Sequence, residues 1–273
     1  MSEKNKSQIK AQKKSSGLPI SIIILAFVLV VISGIWLYNT SGPSAPSNTN
    51  RAAANSEAQR PQFNPANAPP GAPVGVNMIG SPTATVTVEE FADYQCGACA
   101  SVYPIVKELQ AAYAGNKNFR FIFRHYPLNI PGHDKSGEAS AATEAAGLQG
   151  KFWQMQDLLF RNQQAWTTNP NYLEIWTKYA TDIGLDVNKF KSDLAGMQTK
   201  ERVQLDVARG RGMGVSSTPT ILINDQIVAP QDINIASLRR LVDAEIQRTS
   251  TQAQQTPTGA NTAATGNANS NTK

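Results

Sequence analysis

Between Ala84 and Tyr113 the spacing of apolar residues switches from every second position to every third and fourth, and the chain's two cysteines, Cys96 and Cys99, lie at the switch. ATVTVEEFADY (84–94) sets Val86, Val88 and Glu90 against Thr85, Thr87 and Glu89, which is the period of a strand. From Cys99 onward Val102, Ile105, Val106, Leu109, Ala112 and Tyr113 form the apolar stripe of a helix ending near Gly115. The spacing therefore predicts that Cys96 stands at the mouth of a helix, where unpaired backbone N–H groups and the positive end of the helix dipole favour an anion. A thiolate is such an anion, and lowering its pKa makes the sulfur both a larger reactive fraction and a better leaving group. Cys99, one turn further in, is close enough to close a disulfide with Cys96 and less accessible. The two sulfurs are thus expected to differ: Cys96 attacks or is attacked from outside, and Cys99 resolves the mixed disulfide.

The flanking pattern predicts the frame around this pair. FRFIFRHYPL (119–128) reads as a second strand, completing a βαβ unit, and a long helical stretch over 134–211 follows, punctuated at Gly150, Asn169-Pro170, Gly184 and Gly196. PTILIN (219–224) and QIVAP (226–230) read as a hairpin turning at Asn224-Asp225, and IASLRRLVDAEIQR closes the domain as a helix. The expected order is βαβ, helical insertion, ββα within residues 74–248, one domain's length, with no internal repeat.

Outside that domain the chain is organised by the membrane. Residues 1–17 carry Lys4, Lys6, Lys10, Lys13 and Lys14, and LPISIIILAFVLVVISGIWLY (18–38) is uncharged and long enough to cross a bilayer as a helix. The next basic residue is Arg51, so the Lys/Arg bias places the N-terminus in the cytoplasm and the rest of the chain outside, in the periplasm or beyond the cell. A cleaved signal peptide fits less well, because the nearest small-x-small site, at Ser44-Ala45, is followed by Pro46. Residues 39–73, rich in Pro, Ala, Asn and Ser, are expected to be a flexible tether reaching on the order of 30 Å. Residues 249–273 are polar and of low complexity, and are expected to be disordered. The chain's net charge of +5 does not point to nucleic acid: residues 74–248 hold 17 Lys and Arg against 18 Asp and Glu, and the excess sits in the cytoplasmic tail.

Three explanations of a Cys-x-x-Cys remain to be weighed. A metal site needs two further ligands, and the chain offers only His125 and His133, without zinc-site spacing. Both histidines are expected as surface or loop residues. Two inert buried thiols are disfavoured outside the cytoplasm, where neighbouring thiols tend to oxidise. A redox disulfide remains. Phe152, Trp153, Leu158, Leu159 and Phe160 in GKFWQMQDLLF are expected to pack the helical insertion onto the frame.

The Cys-x-x-Cys after a strand, the helical insertion in a βαβ…ββα frame, and the late GVSSTPTILIN together resemble the DsbA-like branch of the thioredoxin superfamily over residues 74–248. GKFWQMQDLLF is similar to a stretch of that family too. The resemblance implies an α/β, thioredoxin-like fold and a protein thiol–disulfide oxidoreductase. It also implies that Pro219 is cis and faces the disulfide, forming with Thr218 the edge on which an extended substrate docks; a proline lacks an N–H, leaving neighbouring backbone groups free to pair. Six residues before Cys96, Glu90 matches the family's acidic residue beneath the active site, where a buried carboxylate with a raised pKa would exchange a proton with Cys99. The other reading of Glu89 and Glu90 is the solvated end of a strand. Within the family no bound cofactor is needed beyond the Cys96–Cys99 disulfide, substrates are reduced or unfolded exported proteins, and reoxidation comes from a membrane partner of the DsbB type. One departure matters: the strong oxidases of the family carry Pro-His between the cysteines, whereas Gly97-Ala98 offers the thiolate no side-chain donor. That implies a less oxidising disulfide and leaves the direction of electron flow open between a donor of disulfides and a reductase or isomerase kept in the dithiol form. A non-catalytic scaffold binding partners along the same edge is the reading from another class.

Overall fold

The structure is a computed structural model that describes residues 67–255. The expected cytoplasmic tail, the span at 18–38, residues 39–66 of the tether and residues 256–273 lie outside the described residues. Among the described residues no helix is long and apolar enough to cross a membrane.

A five-stranded mixed sheet in the order β1-β3-β2-β4-β5 forms the frame. Its centre is β2 (Val86–Ala92), parallel to β3 (Phe119–His125) from Val86↔Phe119 to Ala92↔His125 and antiparallel to β4 (Thr220–Ile223). β5 (Gln226–Ile227) continues the hairpin beside β4, with Asn224 and Asp225 at positive φ in the turn, as the sequence predicts. β1 (Met78–Gly80) adds an antiparallel edge strand beside β3 that the sequence analysis did not foresee; three residues are too few to show a period.

The two-residue period of β2 sorts its side chains cleanly. Val86, Val88 and Ala92 join Phe119, Phe121, Phe123, Ile221 and Ile223 in the main core, whereas Phe91 packs on the opposite face with Met213, Val215 and Leu222. Helix α1 (Gly97–Ala112) buries Cys99, Val106 and Leu109, the predicted stripe, against the main core. The closing helix α8 (Ile235–Gln255) is fastened near the end of α1: Tyr113 Oη donates to Asp243 Oδ1 at 2.6 Å, and its ring stacks on Phe119 at 4.9 Å. Residues 249–255, expected to be disordered, are helical. There the hydroxyls of Thr249, Ser250 and Thr251 donate to main-chain carbonyls one turn earlier, absorbing polar groups that would otherwise argue against a helix.

The insertion comprises α2 (Ser136–Gly147), α3 (Phe152–Arg161), α4 (Gln163–Thr167), α5 (Tyr172–Asp182), α6 (Val187–Ala195) and α7 (Met197–Gly212). Gly150 and Gly184, two of the predicted punctuation points, lie at φ of 74° and 76°, a region that favours glycine. Helix α2 is built from small residues and is buried over nearly its whole length, which lets its neighbours approach closely. Phe152, Leu159 and Phe160 are buried and Trp153 and Leu158 pack at the edge of the same core, as expected of the FWQMQDLLF stretch.

Residues 69–73, expected as part of the free tether, are instead docked on the sheet face that carries Glu89. Arg124, 3% exposed, donates from Nη1 to the Ala72 carbonyl at 2.7 Å and from Nη2 to that of Pro70 at 3.2 Å. Arg209 reaches the Pro69 carbonyl and Arg202 the Pro73 carbonyl, each at 3.2 Å, while the Ala72 N–H donates to Asp206 Oδ1 at 2.9 Å. The docking follows from the charge beneath it. Arg124 is buried between Glu89 (2.7 Å) and Asp206 (2.9 Å), and a guanidinium with five donors out of water needs more acceptors than two carboxylates give it; the strap's carbonyls supply them. Gly71, at φ 79°, lets the strap lie this close: a Cβ there would sit 2.7 Å from Arg124 Nη1 and 2.9 Å from Arg209 Cδ. Gly71→Val is expected to lower stability by about 2 kcal/mol or more in urea unfolding, through the unfavourable backbone region and the overlap with both arginines.

Candidate active site

The last turn before α1 is made by Asp93, Tyr94, Gln95 and Cys96. Cys96 is the N-cap, extended at φ −72° and ψ 117°, with no side-chain cap bond to the helix. The first N–H groups of α1 are therefore left for its sulfur, and those of Ala98 and Cys99 act on it. Cys96 is 8% exposed and is followed by the exposed Gly97 and Ala98, whereas Cys99 is wholly buried, and both are free thiols. The Thr218–Pro219 peptide is cis, and Cys96 Sγ lies 3.4 Å from the Thr218 carbonyl, so the structure brings Cys96, Cys99, Thr218 and Pro219 together as the resemblance implied.

The environment separates the two sulfurs in the predicted sense. The Cys96 thiol is lowered to about 5, first by the hydrogen bond from the Cys99 thiol, which outweighs the opposing effect of burial, and then by Thr218 and the N–H groups of Cys99 and Ala98. The Thr218 hydroxyl is buried and has no other partner. Gly97 and Ala98 contribute no side-chain donor, as read from the sequence, so the stabilisation comes from the Cys99 thiol, from Thr218 and from the main chain. Cys99 moves the opposite way: burial pushes its thiol far up, and its bond to Cys96 and the negative charges of Cys96 and Glu90 add to that. Near neutral pH the reduced pair is one thiolate and one thiol.

Glu90 and Glu89 are both 3% exposed, which removes the reading of a solvated strand end. Adjacent in sequence, they point to opposite faces and behave in opposite ways. Burial pushes the Glu89 carboxyl up, but hydrogen bonds and charge from Arg209 and Arg124 outweigh it and hold Glu89 below the usual carboxylate range. Glu90 faces the main core, where burial alone pushes it up to about 8, and its charge acts on Cys99 and on Tyr94.

Several residues of the site were not singled out from the sequence. Asp93 is fully buried, and its carboxylate accepts four hydrogen bonds: from Gln95 N at 2.7 Å, Ser136 Oγ at 2.6 Å, Leu128 N at 2.8 Å and His133 Nδ1 at 2.7 Å. Gln163, on α4, donates to the carbonyls of Tyr94 at 2.8 Å and Cys96 at 3.0 Å, tying the insertion to the turn. His133 is therefore a fixed part of the wall beside the dithiol. His125, expected at the surface, is fully buried: it ends β3 with Nε2 3.1 Å from Glu144 Oε1, and Glu144 in turn receives Arg202 at 2.5 Å. The carboxylate partner of His133 lies 40 residues away and that of His125 lies 19 residues away, so no local pattern marks either histidine. Among the described residues no group of three or more His, Cys, Asp or Glu side chains is arranged to hold a metal ion.

A thiol where a central strand hands over to a helix, its buried partner one turn on, and a cis Thr218–Pro219 peptide whose Thr218 carbonyl lies against the first sulfur define a protein of the thioredoxin fold. A family model described as thioredoxin (Thioredoxin_4) matches residues 74–244, and the chain belongs to that family. Among solved structures it is similar to BdbD of Bacillus subtilis in its oxidised form (22% identity, TM-score 0.56, covering 66% of this chain and 98% of that one). It is similar also to a thioredoxin-like oxidoreductase from Silicibacter pomeroyi (24%, 0.51, 67% and 94%) and to alpha-DsbA1 of Wolbachia pipientis (15%, 0.55, 67% and 96%). These likenesses establish the DsbA-like fold, insertion included. In sequence the chain is 37% identical over 148 residues to the Na(+)/H(+) antiporter NhaA 3 of Salinispora tropica, covering 54% of this chain and 21% of that protein. It is 30% identical over 168 residues to NhaA 1 of Mycolicibacterium gilvum, covering 57% and 26%. The chain thus spans about a fifth to a quarter of the length of these curated relatives.

Because Glu90 holds its proton to about pH 8 when folded and loses it near 4.5 when unfolded, the unfolded state binds fewer protons in between, and stability falls as pH rises through that window. Glu90→Gln removes the effect. In the disulfide form, where Cys96 does not titrate, the variant is expected to gain on the order of 4 kcal/mol relative to wild type between pH 4.5 and 8, read by denaturant unfolding at each pH.

Proposed function

We propose that this chain is a membrane-tethered, extracytoplasmic thiol–disulfide oxidoreductase that passes its Cys96–Cys99 disulfide to reduced, unfolded exported proteins. The observation that carries the reading is the asymmetry of the pair: a sulfur at the helix mouth, 8% exposed and lowered to about 5, beside a wholly buried one that stays protonated. A binding scaffold has no use for that difference, whereas disulfide exchange needs it at every step.

In the forward direction an extended substrate pairs with the backbone beside Thr218 and Pro219, and its thiolate attacks Cys96 Sγ. The Cys96–Cys99 bond breaks, its electron pair goes to Cys99, and a mixed disulfide forms between Cys96 and the substrate. Cys99, whose thiolate is strongly disfavoured by burial, takes a proton, and Glu90, still protonated near neutral pH, is the donor beneath it. The substrate's second thiolate then attacks its own sulfur in the mixed disulfide and releases Cys96 as a thiolate, a good leaving group at its low pKa. The substrate is oxidised by two electrons and the enzyme reduced to the dithiol. A membrane redox partner of the DsbB type removes those electrons, with Glu90 receiving the proton of Cys99. No bound cofactor takes part. The low Cys96 pKa favours release of the reduced enzyme and hence the oxidase direction, despite the absence of a side-chain donor at Gly97-Ala98. The basic tail and the apolar run at 18–38 support retention in the cell membrane with the N-terminus cytoplasmic and the thiol domain outside.

Alkylation of the reduced domain by iodoacetamide is expected to show a single thiolate titrating near pH 5, lost in Cys96→Ser. In cells, Cys99→Ala is expected to accumulate mixed disulfides with exported proteins, and thiol trapping is expected to find the wild-type pair mostly oxidised. A pair held as the dithiol would assign the protein to reduction or isomerisation, and partner binding that survives replacement of both cysteines by Ser would assign it to the scaffold class.

A further inference from the structure

Asp93 meets the dithiol through its main chain and the neighbouring loop through its side chain. Its carbonyl accepts the Cys96 N–H at 3.1 Å, and its own N–H acts on the Cys99 sulfur. Its carboxylate is saturated: Oδ1 accepts from Gln95 N and Ser136 Oγ, and Oδ2 from Leu128 N and His133 Nδ1, all within 2.6–2.8 Å. Three of these four donors belong to residues 128–136, the connection from β3 to α2. Gln95 doubles the tie, accepting from Lys135 N at 2.6 Å and donating to Asp134 Oδ1 at 3.4 Å. A fully buried carboxylate so placed is costly unless every lone pair is met, so this set fixes the orientation of the peptide units on either side of Asp93.

We infer that Asp93 is a positioning residue, clamped by His133, Ser136 and the Leu128 N–H so that its backbone N–H stays aimed at Cys99 and steadies that sulfur as it leaves. The inference rests on the exchange reaction proposed above. When a substrate thiolate attacks Cys96, the electron pair of the breaking S–S bond goes to Cys99, which carries negative charge until it is protonated. Cys99 is otherwise walled by apolar side chains, and at that moment Cys96 is bound in the mixed disulfide and Glu90 still holds its proton, so a fixed N–H meets the developing charge until Glu90 protonates the sulfur, in the manner of a donor in an oxyanion hole. The carboxylate is required in its charged, acceptor-only form. An asparagine amide would turn its NH2 toward either Leu128 N–H and His133 or Gln95 N–H and Ser136, donor against donor, whichever way it is placed.

The test uses the oxidised full chain in detergent, reacted with a reduced model peptide carrying one thiol. His133→Ala is expected to slow attack on Cys96 about tenfold, Asp93→Asn at least as much, and His133→Asn, which keeps a donor near the Nδ1 position, is expected to recover most of the rate. The alkylation rate of reduced Cys96 at fixed pH should stay within twofold throughout, because the effect lies at Cys99. That split separates positioning from general loosening of the fold, which would move both rates together. Should Asp93→Asn fail to fold, the two His133 variants decide alone. Rates within twofold of wild type in His133→Ala, equal rates for His133→Ala and His133→Asn, or parallel loss of exchange and alkylation would each overturn the inference. A wild-type protein unable to exchange with any peptide would instead overturn the proposed function.

Discussion

The parallel pairing of β2 with β3 and its antiparallel pairing with β4 fix the central strand from both sides, and a one-residue slip would carry every side chain to the other face. Four residues separate the end of that strand from the first residue of α1. With the strand immobile and the turn so short, Cys96 has one place to stand, at the open end of the helix, and Cys99 is driven into the core one turn later. The chemistry of the pair is a consequence of this junction. Between the cysteines the side chains add nothing, because Gly97 and Ala98 have nothing to add; the donor that matters is the Cys99 thiol itself.

The same register explains why two adjacent glutamates live differently. Glu89 looks toward Arg124 and Arg209 and is stable as an anion; Glu90 looks toward valines and phenylalanines and holds its proton. Neither state follows from glutamate's intrinsic acidity. Each follows from which side of the pleat the residue occupies, and from whether a cation was built into that side.

What could be read from the sequence was whatever is periodic or adjacent. The strand before Cys96, the stripe of α1, the hairpin at Asn224-Asp225 and the aromatic stretch at 152–160 all announce themselves within a dozen residues, and all are present. Glu90 shares the parity of Val86 and Val88 and the resemblance puts it beneath the active site, but only its burial decides against the solvated end of a strand. The frame's resemblance to the DsbA-like branch added the cis form of Thr218–Pro219, which no local pattern could give. What escaped is of one kind: polar side chains whose partners are distant in the chain. His125 and Glu144, His133 and Asp93, and Gln163 with the carbonyls of Tyr94 and Cys96 leave no mark on the sequence near either member. The strap at 69–73 was misjudged for a related reason: its composition is that of a linker, and its binding energy belongs to arginines elsewhere.

That strap is gripped almost wholly by its main chain: four carbonyls and one N–H make the contacts, and the arginines never read a side chain. Mutational drift at the exposed prolines is therefore cheap as long as the residue at 71 stays without a Cβ and Ala72, 1% exposed, stays small. A homologue could replace the prolines beyond recognition and still enter the domain at the same point, so sequence comparison will tend to place the domain's beginning several residues too late.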